Sequence, residues 1–362
     1  AQAEVGADVR VVVVNHAAAG GRDSTFDRFA RTRPAEDADG PVRVVRVGRW
    51  ASVLKLDVAP GLRPALRRAR RDPPDVWHLH APNVTMMLAV LGCRWVRPLV
   101  VTHHSDVVRQ RVLRHVIRPV ELAVYRRAAR VLPTSAAYAA GSELLQRFAA
   151  KVTPVPLGID RTPYTRPSPA ALAHAAELRR LYGSPLWLSV GRLIYYKGLH
   201  VGLEALRGVP GKWLVIGTGP LASELRARAA ALGVADRVIW AGHASPDEVV
   251  GAMHAATALW FPSVARSEGF GLSQVEAMAA GCPVVNTAVP ASGVAWVCRH
   301  EHEGLTAPVG DPGAFAAAAN RLLVEPGLRD ELAAAGRERA AAEFDDTVMA
   351  TRTLDVYSAV AG

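Results

Sequence analysis

The sequence predicts an α/β protein of two doubly wound domains, each a parallel sheet covered by helices. Apolar runs of strand length, such as residues 9–15 and 186–190, alternate with helical patterns along the chain. A length of 362 residues suits two domains of ordinary size. Gly-rich turns follow several predicted strands, as expected where ligands bind at the carboxyl ends of parallel strands.

The composition is that of a folded protein without a membrane span. Hydrophobic residues make up 50% of the chain and charged residues 21%, which excludes a disordered chain. There is no run of about 18 apolar residues, so no membrane-spanning helix is predicted. Cys93, Cys282 and Cys298 lack the spacing of a metal site, and we expect reduced, buried thiols in a cytoplasmic protein.

The net charge of +10 comes from the first part of the chain. Residues 1–157 carry 25 basic and 13 acidic side chains, whereas the remainder carries 18 and 20. Basic surfaces bind phosphates of nucleic acids or of anionic membranes. No nucleic-acid-binding pattern accompanies the arginines, so we expect no nucleic-acid partner and favour an anionic membrane surface or lipid-linked acceptor. The expected location is cytoplasmic, or peripheral on the inner face of the plasma membrane; a GC-rich genome is the alternative source of the arginines.

A Gly-rich loop between a predicted strand and the predicted helix 272–280 carries most of the candidate chemistry. Gly269 and Gly271 lack a Cβ, so their amides can approach an anion closely, and the helix directs its positive dipole end there. Glu268 precedes the glycines and Glu276 lies on the first turns of the helix. We interpret the loop as a pyrophosphate cradle whose carboxylates hold sugar hydroxyls. The alternative is an ordinary helix N-terminus with a favourable acid.

A second phosphate-binding pattern follows the predicted strand 186–190. Gly191 and Arg192 come directly after this strand, and Lys197 lies five residues beyond the arginine. Arg offers a planar fork of donors and Lys a mobile point charge, and together they suit a diphosphate. The alternative is an arginine that makes ordinary surface contacts.

The run from Gly217 through Gly219 to Ala222 has the form G-x-G-x-x-A, which is typical of dinucleotide binding. That fingerprint also requires an acid at the end of the next strand. The nearest acid, Asp236, instead precedes the predicted strand 237–241. A dehydrogenase is therefore disfavoured.

Residues 268–276, EGFGLSQVE, resemble the E-x7-E signature of retaining GT-B glycosyltransferases, specifically of family 4. Residues 191–198 are similar to the G-R-x-x-x-x-K-G motif of that family, and residues 217–220 to its G-x-G-P turn. The resemblance covers essentially the whole chain except an opening unit. It implies two Rossmann-like domains facing a cleft, with a nucleotide-sugar donor held mostly by the second.

The resemblance also implies roles for single residues. Glu268 would bind the hexose and Glu276 the ribose, while His104 would reach the donor sugar from across the cleft. Arg192 and Lys197 would take the charge of the leaving diphosphate, so we expect no bound metal and no cofactor beyond the nucleotide-sugar co-substrate. The other predicted donor-binding residues are Gly191, Gly217, Gly219, His243, Gly269, Phe270, Gly271 and Leu272.

Residues 103–106, HHSD, follow another predicted strand of the first domain. A metal site is an alternative here, but neighbouring side chains on an extended segment point apart, so both histidines cannot ligate one ion without distortion. We predict a structural role for His103, and for Asp106 either helix capping or an acceptor contact. Asn83 and Ser135, which follow other predicted strands, are further candidates for the acceptor side.

Two further stretches of the first domain allow alternative interpretations. Residues 109–130 predict an amphipathic basic helix, kinked at Pro119, whose charged face either is solvated or contacts a membrane. Asp37 and Asp39 have the D-x-D form of a metal site. They lie in the acidic stretch 33–41, which we predict to be a solvent-exposed loop without metal.

Family members similar to this chain begin with a strand, a Gly-rich loop and a helix that we do not find here. Residues 9–15 correspond to a second strand, and Gly20 and Gly21 follow it in a polar loop, so they are not the expected glycine pair. We favour a fragment of a longer chain over a rebuilt domain. This chain is then expected to bind nucleoside diphosphate but to transfer sugar poorly.

We predict an N-terminal acceptor-side domain at 1–157, a linker at 158–169 and a nucleotide-sugar-binding domain at 170–344. Residues 345–362 form a helix that, in this fold, packs back on the first domain. The predicted function is retaining transfer of a hexose to a glycan or lipid-linked glycan in surface-polysaccharide synthesis, with GDP-mannose as the preferred donor and a UDP-hexose as the alternative. Other possibilities are a nucleotide-sugar epimerase of the same fold and a non-catalytic, basic membrane-binding module.

Overall fold

The computed structural model describes residues 1–17, 27–53, 56–106 and 111–362. The chain divides into two compact units, each described separately below. The first unit contains residues 1–133, 142–155 and 350–362, and the second contains residues 134–141 and 156–349. None of the helices in the described ranges is both long enough and apolar enough to cross a bilayer.

Strands and helices alternate along most of the chain, as an α/β fold requires. The strands are Arg10–Val14 (β1), Ala35–Asp39 (β2), Val42–Val47 (β3), Ala51–Val53 (β4), Leu56–Val58 (β5), Trp77–Ala81 (β6), Leu99–His103 (β7), Arg130–Pro133 (β8), Leu186–Val190 (β9), Lys212–Ile216 (β10), Val238–Gly242 (β11), Ala258–Phe261 (β12), Val284–Thr287 (β13) and Gly304–Ala307 (β14). The helices are Leu62–Ala69 (α1), Val84–Leu91 (α2), Arg111–Arg127 (α3), Ala136–Ala140 (α4), Glu143–Gln146 (α5), Thr162–Thr165 (α6), Pro169–Tyr182 (α7), Leu199–Ala205 (α8), Ala222–Ala231 (α9), Pro246–Ala255 (α10), Leu272–Ala280 (α11), Val294–Val297 (α12), Pro312–Val324 (α13), Leu328–Glu343 (α14) and Asp346–Ala361 (α15).

Separate small sheets form the first unit. β1 and β3 are parallel, and β2 adds to β3 in the antiparallel direction. β6, β7 and β8 form a second sheet of parallel strands, and β4 pairs with β5 as a hairpin. Among the described strands of this unit, the single doubly wound sheet that the sequence predicts is therefore divided.

The predicted loop at residues 33–41 is wrong, because this stretch contains strand β2. It pairs with β3 across a tight turn in which Gly40 adopts a φ of +55°. Every residue of β2 is exposed, and Asp37 Oδ2 lies 2.9 Å from Arg46 Nε. The two aspartates of the D-x-D pattern thus lie on an exposed edge strand, with one of them paired to an arginine.

Two short helices and an isolated bridge follow β8. Gly141 ends α4, and the Ser142 hydroxyl caps α5, so the chain does not continue as one helix. Val152 pairs with Val131 of β8 in a single parallel bridge.

The predicted basic helix is present as α3, with Pro119 inside it. Arg127, near its end, donates to the carbonyl oxygens of Val90 and Val96 at 2.7 and 2.9 Å. This guanidinium is therefore used inside the first unit rather than presented to a membrane. Arg109, the first residue of the predicted helix, and the Gly20-Gly21 pair lie outside the described residues.

A single parallel sheet organises the second unit, in the order β11-β10-β9-β12-β13-β14. The first strand of this sheet, β9, lies near its centre. The chain then winds outward through β10 to β11 and returns to β12 on the opposite side of β9. This is the doubly wound order that the sequence predicts. The winding direction changes between β9 and β12, where ligands of such sheets bind.

Apolar strands give this sheet a packed core on both faces. Trp187 and Trp260 stack with ring centroids 5.0 Å apart, and Phe315 meets Trp260 edge to face at 5.5 Å. On the opposite face Phe270 meets Phe344 edge to face at 5.6 Å. These rings lie among fully buried strand residues, and large buried rings contribute most to the stability of a core. The strand ends that carry the candidate site therefore project from a rigid platform.

Candidate functional site

The loops after β9 and β12 meet at the point where the winding of the sheet reverses. A cavity there is lined by Gly191, Arg192 and Lys197 from the first loop and by Phe261 and Pro262 at the end of β12. The two phosphate-binding patterns of the sequence meet beside this cavity, because Lys197 of the first lies next to Glu268 of the second. Ligands of open α/β sheets bind in this crevice.

Glycines allow two loops of this site, those after β9 and β10, to pack closely. Gly217 adopts a φ of +139°, and a Cβ at this position would lie 1.9 Å from the carbonyl oxygen of Gly191. A Cβ on Gly219 would lie 2.4 Å from the carbonyl oxygen of Leu193. The G-x-G run therefore supports the loop after β9, and its backbone also binds that loop through Leu193 N–H, which donates to the Thr218 carbonyl at 2.9 Å.

Lys197 and Glu268 form an ion pair in this crevice. Lys197 Nζ lies 2.7 Å from Glu268 Oε2, and the side chains are only 16% and 10% exposed. The ammonium group also lies over the Phe261 ring, 4.7 Å from its centroid. A Cβ at Gly191, whose φ is +143°, would lie 3.2 Å from Lys197 Cε, so the glycine leaves room for the lysine to reach the carboxylate.

The start of α11 lies where the sequence predicts an anion-binding helix end. Gly271 precedes this helix with a φ of +87°, and a Cβ there would lie 2.8 Å from the Phe261 ring. The backbone of the loop is held by Ser292 Oγ, which donates to the Glu268 carbonyl, and by Gly293 N–H, which donates to the Gly269 carbonyl at 2.9 Å. Backbone amides and the helix dipole are thus fixed in a position that suits a phosphate.

Glu276 lies on α11, and its carboxylate is mostly buried. Burial raises the pKa of Glu276 above its ordinary value, while the influence of the Tyr164 hydroxyl and the charge of Lys197 acts in the opposite direction. Tyr164 lies 112 positions earlier in the chain than Glu276. No sequence pattern links the two residues, because only the packing of α6 against α11 brings them together.

Four other predicted donor-binding residues have different surroundings. Phe270 is 4% exposed and packs in the core, so only its backbone is available to a ligand. The side chain of Leu272, at the start of α11, is 40% exposed. His243 is exposed directly after β11, and Arg192 is exposed beside Lys197.

A hydrogen bond between side chains forms a second connection between the two loops. The hydroxyl groups of Tyr195 and Ser267 lie 2.7 Å apart, so that a hydrogen bond joins the loop after β9 to the residue before Glu268. Tyr195 lies between Arg192 and Lys197 in the sequence. Its contact with Ser267 could be predicted only from the strand order, which places β9 beside β12. The hydrogen bond adds to the rigidity of the crevice.

His104 lies in the first unit, within a group of stacked imidazoles. Its Nε2 is 2.9 Å from His80 Nδ1, and the two rings stack with centroids 5.2 Å apart. Burial, together with His80 and His103, lowers the pKa of His104 to about 4. His104 is therefore neutral at pH 7. His103, predicted to be structural, is 1% exposed, with its Nδ1 2.5 Å from the Tyr125 hydroxyl.

The three predicted acceptor-side residues have contacts within the fold. Asn83 caps α2, its side chain accepting from Met86 N–H at 3.1 Å. Ser135 is fully buried and caps α4, which excludes direct contact between its hydroxyl and an acceptor. Asp106 accepts a hydrogen bond of 2.9 Å from the Ser142 hydroxyl and lies 3.3 Å from His103 Nε2.

Two family models match the chain, one for each half. The model for glycosyl transferases group 1 matches residues 174–339, and the model for a glycosyl transferase 4-like domain matches residues 1–158. The first match contains all the residues of the crevice after β9 and β12. The prediction of a glycosyltransferase is confirmed.

Curated relatives include enzymes of bacterial glycan synthesis. D-rhamnosyltransferase WbpZ of Pseudomonas aeruginosa is 34% identical over 71% of this chain and 66% of its own length, which is just under two thirds of that protein. O-antigen chain mannosyltransferase C of Escherichia coli is 26% identical over 81% of this chain and 77% of its own. A glycogen synthase of Mycobacterium tuberculosis is 30% identical over 79% and 69%.

Solved structures confirm the predicted GT-B fold. Anabaena HepE in complex with UDP superposes with a TM-score of 0.74 at 20% identity, covering 98% of this chain and all of that one. Sucrose-phosphate synthase from Thermosynechococcus elongatus superposes with a TM-score of 0.78 at 23% identity, covering 99% and 90%.

Proposed function

Because the chain belongs to the glycosyltransferases of the GT-B fold, we propose that it moves a hexose from a nucleotide-sugar to a glycan or lipid-linked glycan acceptor, with retention of configuration. The observation that carries the proposal is the convergence of Arg192, Lys197 and Glu268 at the switch point of the second sheet. Glu276 on α11 completes the set as the acid for the ribose.

In the proposed reaction the bond between the hexose C1 and the diphosphate oxygen breaks. A bond between C1 and the acceptor oxygen forms on the same face, and the proton of the acceptor hydroxyl passes to the departing phosphate oxygen. Arg192 and Lys197 stabilise the charge of the diphosphate, without a bound metal. Glu268 holds hexose hydroxyls, and no side chain acts as a covalent nucleophile.

We propose a manno-configured hexose on guanosine diphosphate as the donor. The proposal is supported by the names of two relatives, a mannosyltransferase and a D-rhamnosyltransferase, since D-rhamnose is 6-deoxymannose. GDP-mannose is the preferred donor and a UDP-hexose the alternative. Surface-polysaccharide synthesis is the corresponding process.

The test is to incubate the purified chain with GDP-mannose or UDP-glucose and a mannosylated oligosaccharide acceptor. We expect an elongated glycan in which the new linkage has the anomeric configuration of the donor, and about 10- to 100-fold slower formation of this product by Glu268→Gln. An inverted linkage would contradict retention. A new nucleotide-sugar formed from the donor alone would instead indicate an epimerase.

The role of His104 as a contact of the donor sugar stays a prediction. A neutral imidazole can both donate and accept hydrogen bonds with hydroxyl groups. His104→Ala is expected to lower the rate of transfer while leaving nucleoside diphosphate affinity unchanged. An equal reduction of the transfer rate and of the nucleoside diphosphate affinity would assign His104 to nucleotide binding.

We also propose that the first unit binds anionic membrane surfaces through the exposed face of α1. Arg63, Arg67, Arg68 and Arg71 line one cavity along this helix. A neighbouring cavity shares Arg68 and includes Trp50, whose side chain is 62% exposed. Clustered arginines beside an exposed indole favour a phosphate-rich interface, at about 1 kcal/mol per basic residue near the surface.

Vesicle sedimentation tests this proposal. Binding to vesicles with anionic lipid should fall steeply as salt increases, and the variant with Arg67→Gln, Arg68→Gln and Arg71→Gln should bind more weakly. Arg180→Gln, an exposed arginine of the second unit, is the matched control. Equal binding of the unaltered chain to neutral and anionic vesicles would exclude the proposal.

A further inference from the structure

A hydrogen bond joins the imidazoles of His80 and His104 in the first unit. His80 belongs to β6, which pairs in parallel with β7, and His104 directly follows β7. The backbone N–H of His104 donates to the Ala81 carbonyl at 2.9 Å, so the sheet fixes both backbones. His80 Nδ1 lies 2.9 Å from His104 Nε2, and the two ring planes differ by 16°. His80 is exposed, whereas His104 is half-buried.

The ring of His80 is held by its neighbour on the same face of β6. Residues 78 and 80 share this face because side chains alternate along a strand. Their imidazoles stack with centroids 4.8 Å apart. His78 Nε2 lies 2.7 Å from Thr102 Oγ1, and His78 Nδ1 is hydrogen-bonded to the Tyr357 hydroxyl. Since both ring nitrogens of His78 have partners, His78 gives His80 a fixed surface to stack on.

The hydrogen bond decides which nitrogen of His104 is left for a ligand. The terminal torsion of a histidine is broad and roughly two-fold, so a free ring can turn over and exchange Nδ1 with a carbon. The contact with His80 requires Nε2 to face that residue, which selects one orientation. The pKa of His104 is about 4, so the ring is neutral and has one donor and one acceptor nitrogen. With Nε2 bound to His80, Nδ1 takes the complementary role, and none of the described residues forms a hydrogen bond with it.

We propose that His80 is a positioning residue, which orients the imidazole of His104 so that Nδ1 meets one hydroxyl group of the donor hexose. The inference rests on the proposed function, in which His104 contacts the donor sugar. A ring that is already oriented loses less entropy when the sugar binds. Because Nε2 is occupied by His80, His104 makes a hydrogen bond to one hydroxyl group of the hexose and not to two.

Two variants of His80 separate the hydrogen bond from the stacking of the ring. His80→Phe keeps a ring that can stack on His78 but has no nitrogen, whereas His80→Asn places an amide, which can donate or accept, close to the position of Nδ1. His80→Phe should lower the initial rate of transfer roughly three- to tenfold, because one hydrogen bond is lost, and should leave nucleoside diphosphate affinity unchanged. His80→Asn should restore most of the rate. His302→Phe, at an exposed histidine of the second unit, is the matched control.

The ¹⁵N chemical shifts of the His104 ring give a readout that a merely structural role would not move. These shifts report which ring nitrogen carries the proton, they are measured without substrate, and His104→Ala identifies the signals. In His80→Phe both nitrogens should shift, because Nε2 has lost its partner. In His80→Asn they should stay close to their positions in the unaltered chain. Unchanged shifts in His80→Phe would overturn the inference.

A His104→Ala background separates this inference from the proposed function. In that background, His80→Phe should cause no further loss of the transfer rate. An equal loss in both backgrounds, or no loss while His104→Ala slows transfer, would overturn the role of His80 and leave the proposed function intact. If His104→Ala itself leaves the rate unchanged, the contact between His104 and the donor sugar fails, and the inference fails with it. Melting temperatures of all variants exclude unfolding as the cause.

Discussion

Lys197 Nζ lies 2.7 Å from Glu268 Oε2, in a crevice where both side chains are largely shielded from water. Lys197, which is proposed to bind the donor phosphates, is therefore paired with Glu268, which is proposed to bind the hexose. In a shielded site, each charge depends on the other for compensation. A diphosphate that binds here competes with Glu268 for the ammonium group.

Glu268→Gln is expected to separate nucleotide binding from transfer. Removal of the carboxylate leaves the charge of Lys197 for the diphosphate, so the affinity for nucleoside diphosphate should stay equal or rise. Transfer should fall by about 10- to 100-fold, since the charged contact with the hexose is lost. Calorimetry and initial rates measure the two quantities. Weaker nucleoside diphosphate binding would show that Glu268 does not compete for Lys197.

Arg192→Ala is expected to weaken nucleoside diphosphate binding. Each charge-assisted contact contributes about 1.5–3 kcal/mol, so the loss should be roughly 10- to 100-fold. Addition of Lys197→Ala should weaken binding further, and this double variant is best made together with Glu268→Gln to avoid an unpaired buried carboxylate. Arg180→Ala, at the exposed end of α7, serves as the control. Unchanged nucleoside diphosphate affinity in the combined variant would show that Arg192 and Lys197 do not bind the diphosphate.

Glu276→Gln is expected to stabilise the chain at neutral pH while weakening nucleotide binding. Burial raises the pKa of Glu276, so the folded state binds its proton more tightly than the unfolded state does. That contribution to stability is present at low pH and is lost as pH rises through the raised pKa. The uncharged amide should therefore raise the melting temperature at about pH 7.5, and the difference should shrink toward about pH 4. A lower melting temperature of the variant at neutral pH would contradict this account.

Transfer is expected to continue in excess EDTA. The proposed leaving diphosphate is stabilised by Arg192 and Lys197, so no divalent ion is required to neutralise it. Initial rates with and without EDTA provide the measurement, with a known metal-dependent transferase as the control. Complete loss that is restored by Mg²⁺ or Mn²⁺ would overturn the prediction.

The parts of the fold that local chemistry determines could be read from the sequence. The predicted bounds of α11 agree with the structure, because glycines in the left-handed region, Gly271 and Gly281, flank it. The predicted bounds of β9 also agree, since a continuous apolar run marks a strand buried on both faces. Strand β2 is different, because its five exposed residues are held by pairing with β3 rather than by burial.

The sequence by itself determined the α/β class, the loops that carry glycines, and the residue types suited to a diphosphate and two sugar hydroxyl groups. Only the tertiary structure decided which of these residues meet. Strand order places the loops after β9 and β12 side by side, and so pairs Lys197 with Glu268. Packing of α6 against α11 likewise brings Tyr164 to Glu276. Spacing along the chain does not encode these contacts, because they depend on how the sheet is ordered and how its helices pack.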